Sequence, residues 1–415
     1  MKKIPIIALD LGTQNARAIA VSFDRKIGTP KILECLTFKT SGLRKGIIVD
    51  LEEASMTIAN LLSELQREIK IPFKKIYINI TGEGINVKPS RGATAVARAD
   101  NEITQSDVLR AVESSRTIGF PMNRSLLHVI PVEFYVDGVG PIRDPIGMSG
   151  IRLEVESLLV DCFSPILKNI TKAVEGLSGY QVEEIVYNPL LSLRSVLSKN
   201  QKELGVLLLD LGAGTTDIVA VVEDKILLAK TLPIGGIHIT NDIAMALKIP
   251  PEIAEILKIH FGWAKAKEVS KKETIDLSEI NSKLEGVVSK KFLAEIIQAR
   301  LEEIFELVLA SLKEAKIEPK FPAGVVLVGG GAKIPAIVDL AKENLRMSAQ
   351  IGKAINFSSE TLWEEKEKEI LNDPTYANLI GLVLWATEGQ SKFKSFKKKT
   401  GISNKIKNFF KIFLP

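Results

Sequence analysis

The chain runs to 415 residues, 46% of them hydrophobic and 25% charged, enough for more than one packed core. That composition excludes a disordered chain, a collagen and a small disulfide scaffold. The formal charge of +5 is uneven: Glu388 to Pro415 holds eight Lys and one acid, leaving the body at −2, which argues against nucleic acid and puts an anionic partner at the tail.

Lys2 and Lys3 before Ile4 to Leu9 open like a signal peptide, but Asp10 and Gly12 cut the apolar run short. No apolar stretch nears the ~20 residues of a spanning helix. Cys35 and Cys162 lack CxxC spacing, so neither a disulfide framework nor a thiolate metal site is supported, and a reducing cytosol fits. His128, His238 and His260 sit in unrelated contexts and form no metal motif.

From Ile7 to Val21 the pattern is strand, Asp10-Leu-Gly12 turn, strand, a hairpin whose glycine supplies turn freedom. Asp50 to about Lys70 reads as a helix, with Asp50 and Glu53 in capping-box spacing and Ile58, Leu61, Leu62, Leu65 and Ile69 on one stripe. The strand Lys75 to Ile80 follows. The chain then leaves over 84–163 before a return strand near Val182 to Tyr187. The excursion holds a helix near Thr104 to Arg116, a strand through Leu127 to Tyr135, and alternation of Ile151, Leu153 and Val155 with Arg152, Glu154 and Glu156. It reads as an inserted α+β subdomain with its own core.

The opening then returns. Leu207 to Val221 repeats the first hairpin at an offset of 200, with Asp210 matching Asp10 and Gly212 matching Gly12, so two related lobes are expected. Such turns expose successive backbone N–H groups as an anion nest, and an Asp at the strand end can hold a hydrated Mg²⁺. Further on, Thr240 is expected to cap a helix to Lys248, and Pro251 to open one that Gly262 ends. Lys265 to Lys291 is polar and reads as poorly ordered or variable. Leu293, Ile297, Leu301, Ile304, Phe305, Val308 and Leu312 stripe a long helix whose Arg300 and Glu303 face a base or water. Gly329, Gly330 and Gly331 follow an apolar run and precede a helix from Pro335 to Arg346, a junction that suits phosphate. One such turn is ordinary loop; three, two of them duplicated, point to a nucleotide cleft.

Residues 387–400 read as a flexible tether and 401–415 as an amphipathic helix. Ile402, Ile406, Phe409, Phe410 and Phe413 share one face, Lys407 and Lys411 lie opposite, and Lys405 snorkels at the apolar edge. Phe beside Lys suits an anionic bilayer surface; the plainer alternatives are a helix docked on the protein's own body or a solvated lysine tail.

The two hairpins and the triple glycine resemble the phosphate and adenosine motifs of the actin-like ATPase superfamily, and the chain is most similar to the FtsA family of bacterial division proteins. The FtsA-like phrases are His128-Val-Ile-Pro131, Asp144-Pro-Ile-Gly147, Leu204 to Asp210, Pro233 to Thr240 with Asp242-Ile-Ala244, and Ala254 to Lys258. The resemblance implies an α/β, actin-like (ribonuclease H-like) duplicated two-lobe fold. Its first lobe would comprise 1–83 and 164–200 around the insertion at 84–163, and its second 201–386, variable at about 240–322. It also implies ATP or ADP with Mg²⁺. Asp10, Gly12, Thr13, Gln14, Asn15 and Arg17 would form the first phosphate loop, and Asp210, Gly212, Ala213, Gly214, Thr215 and Thr216 the second, with Gly235 and Gly236 close by. Glu255 and Lys258 would reach ribose or base, or simply pair on a helix surface, and Gly329, Gly330, Gly331 and Ala332 would cover adenosine. Asp10 and Asp210 would hold Mg²⁺ through water. Asn188 occupies the place where relatives orient attacking water with a Gln or Glu; a shorter neutral amide cannot act as a base, so at most weak hydrolysis is expected. Family resemblance further implies self-polymerisation head to tail, binding of the tubulin-like protein FtsZ, recruitment of other division proteins, and a membrane-targeting tail on the cytoplasmic face. PilM-like pilus proteins share the insertion without the terminal helix, and a metabolite kinase of this fold would need a catalytic base that no Asp or Glu here marks out.

Overall fold

Two five-stranded sheets are built on the same plan. In the first, Ile6–Leu11 lies between its antiparallel partner Asn15–Phe23 and the parallel strand Lys75–Ile80, with Pro30–Lys39 and Gln181–Tyr187 at the edges. In the second, Val206–Leu211 lies between antiparallel Thr216–Val222 and parallel Val325–Val328, with Lys225–Leu232 and Ala349–Ile351 outside. The hairpin registers repeat: Ile6 faces Val21 as Val206 faces Val221. The computed structural model describes residues 5–23, 30–116, 119, 121–282, 285–357 and 364–400, with backbone only for Phe23 and 389–400.

Both central strands are buried along their whole length, which is why they are runs of Ile, Leu, Val and Ala rather than alternating sequences. The helix Leu51–Ile69 covers the first sheet through Ile58, Leu61, Leu62 and Leu65, and Asp50 caps it by accepting from Glu53 N–H. The inserted unit is a four-stranded sheet of Ile85–Ala95, Arg152–Phe163, Arg124–Val136 and Val139–Ile142, backed by the helix Gln105–Ser115. Its core is its own: Ile103, Val108, Val112, Phe134, Leu153 and Val155. Ile151, placed on the inward face from sequence, is exposed because the strand begins one residue later.

Two helices form the junction between the lobes. Asn188–Val196 and Ala377–Thr400 cross so closely that a Cβ on Gly381 would lie 2.1 Å from the Leu191 carbonyl oxygen. One core runs through them, joining Ile7 and Leu9 of the first sheet to Leu208 and Val219 of the second by way of Leu191, Ile380 and Val383.

Three expectations need correction. The helix after the second hairpin starts at Gly236, not at Thr240, because Gly235 and the ring of His238 form its cap; Thr240 lies inside it. The described part of 265–291 is ordered: Ile275, Leu277 and Val288 are buried in the second-lobe core, and Thr274–Asp276 pairs with Val287–Ser289. The backbone over 387–400, expected as a tether, continues the helix from Ala377 to Thr400, a lysine-rich stretch with no proline to stop it. Residues 401–415, with Ile402, Lys405, Ile406, Lys407, Phe409, Phe410, Lys411 and Phe413, lie outside the described residues.

Candidate functional site

The duplicated hairpins face each other across a cleft lined by Asp10, Gly12, Thr13, Gln14, Asn15 and Arg17 from one lobe and Asp210, Gly212, Ala213, Gly214 and Thr215 from the other. Gly329, Gly330 and Asn378 complete the wall. The turns are tight enough to require glycine. A Cβ on Gly12 would lie 2.7 Å from the Asn15 carbonyl oxygen, and one on Gly329, whose φ is +82°, would lie 2.3 Å from Asp210 Oδ1. Across the lobes, a Cβ on Gly214 would meet Thr13 Oγ1 at 2.5 Å.

Asp10 and Asp210 are both buried. Asn79 donates to Asp10, and Arg17 Nη1 lies 3.6 Å from its carboxylate. Burial nevertheless pushes the Asp10 carboxyl above its ordinary value, against the lowering influence of Arg17 and Asn79. Asp210 accepts from Asn378 Nδ2 at 2.6 Å and is also pushed up, first by burial and then by the charge of Asp217. Two buried polar atoms in this wall, Arg17 Nε and Asn378 Oδ1, have no hydrogen-bond partner. Buried carboxylates, an under-used guanidinium and glycine cradles suit a hydrated divalent cation carrying a polyphosphate.

The sequence reading missed Asp217. It stands opposite Asp210 in the second hairpin, the register that Arg17 occupies opposite Asp10 in the first. Thr81 Oγ1 donates to it at 2.7 Å across the lobes, and Thr231 Oγ1 at 2.5 Å. Asn79 was also missed, although a lone Asn in the apolar strand Lys75–Ile80 was its signal. It accepts from Leu11 N–H at 2.6 Å and donates to Asn188 Oδ1 at 2.9 Å. Asn188, at the expected water-positioning place, thereby has its carbonyl committed, and it also bonds the Asp217 carboxylate.

Glu255 and Lys258 sit beside the cleft and hold each other. Lys258 Nζ donates to Glu255 Oε2 at 2.6 Å, Thr240 Oγ1 at 2.7 Å and the Gly236 carbonyl at 3.0 Å. Despite burial, Lys258, Thr240 and Gln14 together hold the Glu255 carboxyl below its usual range. Gln14 Nε2 reaches Glu255 Oε1 from the opposite lobe at 2.9 Å. Gly235 and Gly236 pack behind the second loop, where a Cβ on Gly235 would lie 2.5 Å from the Gly212 carbonyl oxygen. Thr216, Gly331 and Ala332 are not among the residues lining the cavity: Thr216 donates inward to the Ile234 carbonyl at 2.8 Å, and Ala332 is core. Arg300, expected to face base or water, pairs with Asp242 at 2.6 Å.

Comparison with known proteins bears on the fold and the family. A family model described as "Cell division protein FtsA" matches residues 207–381, and one described as "SHS2 domain inserted in FTSA" matches 82–160, the excursion from the first lobe. The chain is 34% identical to the cell division protein FtsA of Borreliella burgdorferi, over 99% of both chains. It is 32% identical to that of Pseudomonas aeruginosa, over 93% of this chain and 90% of that protein. Among solved structures it is similar to one titled "PilM-PilN type IV pilus biogenesis complex" (TM-score 0.64, 18% identity, 92% of this chain and 98% of that one). It is also similar to MreB5 of Spiroplasma citri bound to AMPPNP (TM-score 0.55, 14% identity, 95% and 100%). These two share the actin-like two-lobe fold. The near-full-length identity to curated relatives, with the inserted domain in place, shows that the chain belongs to the FtsA family of cell division proteins.

Proposed function

We propose that this cell division protein binds ATP or ADP with Mg²⁺ between its lobes. On this reading it acts as a scaffold on the cytoplasmic face of the membrane at the division site, tethering FtsZ filaments, polymerising with itself and recruiting later division proteins. The observation that carries the nucleotide part is the convergence of Asp10 and Asp210, from duplicated hairpins, on one glycine-walled cleft. Gly12 to Asn15, Arg17 and Gly212 to Thr215 would hold the phosphates, and Asp10 and Asp210 the hydrated ion. Mg²⁺ would neutralise phosphate charge. With Asn188 bonded at its carbonyl, the cleft favours holding nucleotide over rapid hydrolysis, so nucleotide would act as a conformational ligand that selects one lobe arrangement.

The membrane part rests on the amphipathic, lysine-bearing pattern of residues 401–415. Calorimetry with Mg²⁺ present should show clear ATP binding by the wild type and little by Asp210→Ala; equal binding would remove the cleft assignment. Sedimentation with anionic vesicles, with and without FtsZ of the same organism, tests the scaffold: deleting 401–415 should release both protein and FtsZ from the pellet. Unchanged pelleting of the truncated chain would reject the anchor.

A further inference from the structure

A two-residue turn outside both hairpins touches both phosphate loops. Lys45 and Gly46 join the short strands Leu43–Arg44 and Ile47–Ile48. Gly46 N–H donates to Thr13 Oγ1 of the first loop at 3.3 Å. From the opposite lobe Gly214 approaches so closely that a Cβ on it would lie 2.9 Å from Lys45 Cα. The turn is wedged where the lobes meet, against the wall that contains the unpartnered Arg17 Nε.

Its conformation is informative. Lys45 has φ +49° and Gly46 φ +76°, the type I′ pattern in which both central residues are left-handed. Asn, Asp or Gly normally takes the first place, because a longer side chain is strained there. Lysine there puts a charged side chain on the turn. Burial first, and then that charge, lower the pKa of the His238 ring, which lies in the first turn of the helix Gly236–Leu247. Among the described residues Lys45 has no ion-pair partner. The turn that carries this ammonium packs on Thr13 and Gly214, one cleft-lining residue from each glycine loop, and an anion in the cleft would give the ammonium a partner.

We propose that Lys45 is a ligand of the terminal phosphate, delivered by a first-lobe turn that closes on the second lobe, and that it sets the preference for a nucleoside triphosphate over a diphosphate. This rests on the nucleotide reading above. A compact ammonium suits the most highly charged, outermost phosphate, whereas the inner phosphates fall to the two hairpin loops.

Lys45→Asn keeps a residue that favours the left-handed turn and removes the charge, while Lys45→Arg keeps the charge. Titration of the full chain by calorimetry with Mg·ATP and with Mg·ADP reads both. Lys45→Asn should lose roughly tenfold or more in ATP affinity and change ADP affinity by less than about threefold, the size of one charge-assisted contact. Lys45→Arg should bind ATP within about threefold of wild type. Thermal melts of the nucleotide-free variants should fall no lower than wild type, with Lys45→Asn at or slightly above it because Asn suits the left-handed turn. Equal losses for the two nucleotides, or no loss for ATP, would overturn the assignment. A wild type that binds ATP beside an unaffected Lys45→Asn would sink this inference alone; a wild type that binds neither nucleotide would sink the cleft reading with it.

Discussion

Asp217 stands directly opposite Asp210 in the second hairpin, and both are buried in the cleft wall. Burial lifts both carboxyls above the ordinary value of 3.8, and Asp217 adds its charge to the shift of Asp210. The consequence has a definite sign. Below the ordinary carboxylate range both folded and unfolded chains are protonated and the pair costs nothing. Above it the folded chain keeps protons that the unfolded chain has lost, so stability falls with rising pH until the raised folded values are passed. Thermal melts of the nucleotide-free protein from about pH 5 to about pH 8 should show this decline. Asp217→Asn should flatten it and raise the melting temperature at the upper end. A variant that follows the wild-type slope would show that the pair does not govern it.

Gln14 bridges the cleft to Glu255 at 2.9 Å, so on the proposed nucleotide reading this bond should help to hold the lobes together over the ligand. A single partly buried hydrogen bond is worth about 0.5–1.5 kcal/mol, and Gln14→Ala should speed release of a fluorescent nucleotide roughly two- to tenfold. Stopped-flow displacement by excess ATP gives the rate. Release at the wild-type rate would mean that the bond is already open in the loaded protein.

Gly214 permits closure by having no side chain. In Gly214→Ala the new Cβ would occupy the space of Thr13 Oγ1 and the Lys45 backbone, so the lobes should stand apart. ATP affinity should drop by about tenfold or more, the equivalent of 1.4 kcal/mol. The radius from small-angle scattering should rise, while far-UV dichroism stays unchanged because each lobe keeps its own sheet. An unchanged radius together with unchanged affinity would contradict the closed contact.

Gly381 lets the two junction helices touch. Overpacking of this kind costs typically 1–3 kcal/mol, and Gly381→Ala, with its Cβ driven against the Leu191 carbonyl, should lower the denaturant midpoint accordingly. Because Asn378 on the same helix holds Asp210, the substitution should also weaken Mg²⁺-dependent ATP binding. A wild-type midpoint would show that the helices separate freely.

Much of the plan was legible in one dimension, for identifiable reasons. A hairpin with a buried central strand writes itself as an apolar run broken by Asp-x-Gly, and a duplication writes it twice, so Asp10 and Asp210 could be paired from spacing alone. Helical periodicity likewise located Leu51–Ile69 and the buried stripe of Lys290–Glu314. The ordered stretch after Lys265 was misread because its three buried anchors, Ile275, Leu277 and Val288, are too sparse among polar neighbours to set a period.

By itself the sequence determined the two-fold plan, the inserted domain and the pair of Asp-x-Gly turns, because backbone turns and hydrophobic runs are local properties encoded by adjacent residues. Only the tertiary structure decided which side chains meet in and around the cleft. Asn79 next to Asn188, Thr81 next to Asp217, Asn378 on Asp210 and Lys45 over Gly214 join residues more than a hundred positions apart. No neighbour in the chain signals those contacts: they come from the packing of two separate sheets about a pair of crossed helices, and burial there, not residue type, sets the charge state of the carboxylates.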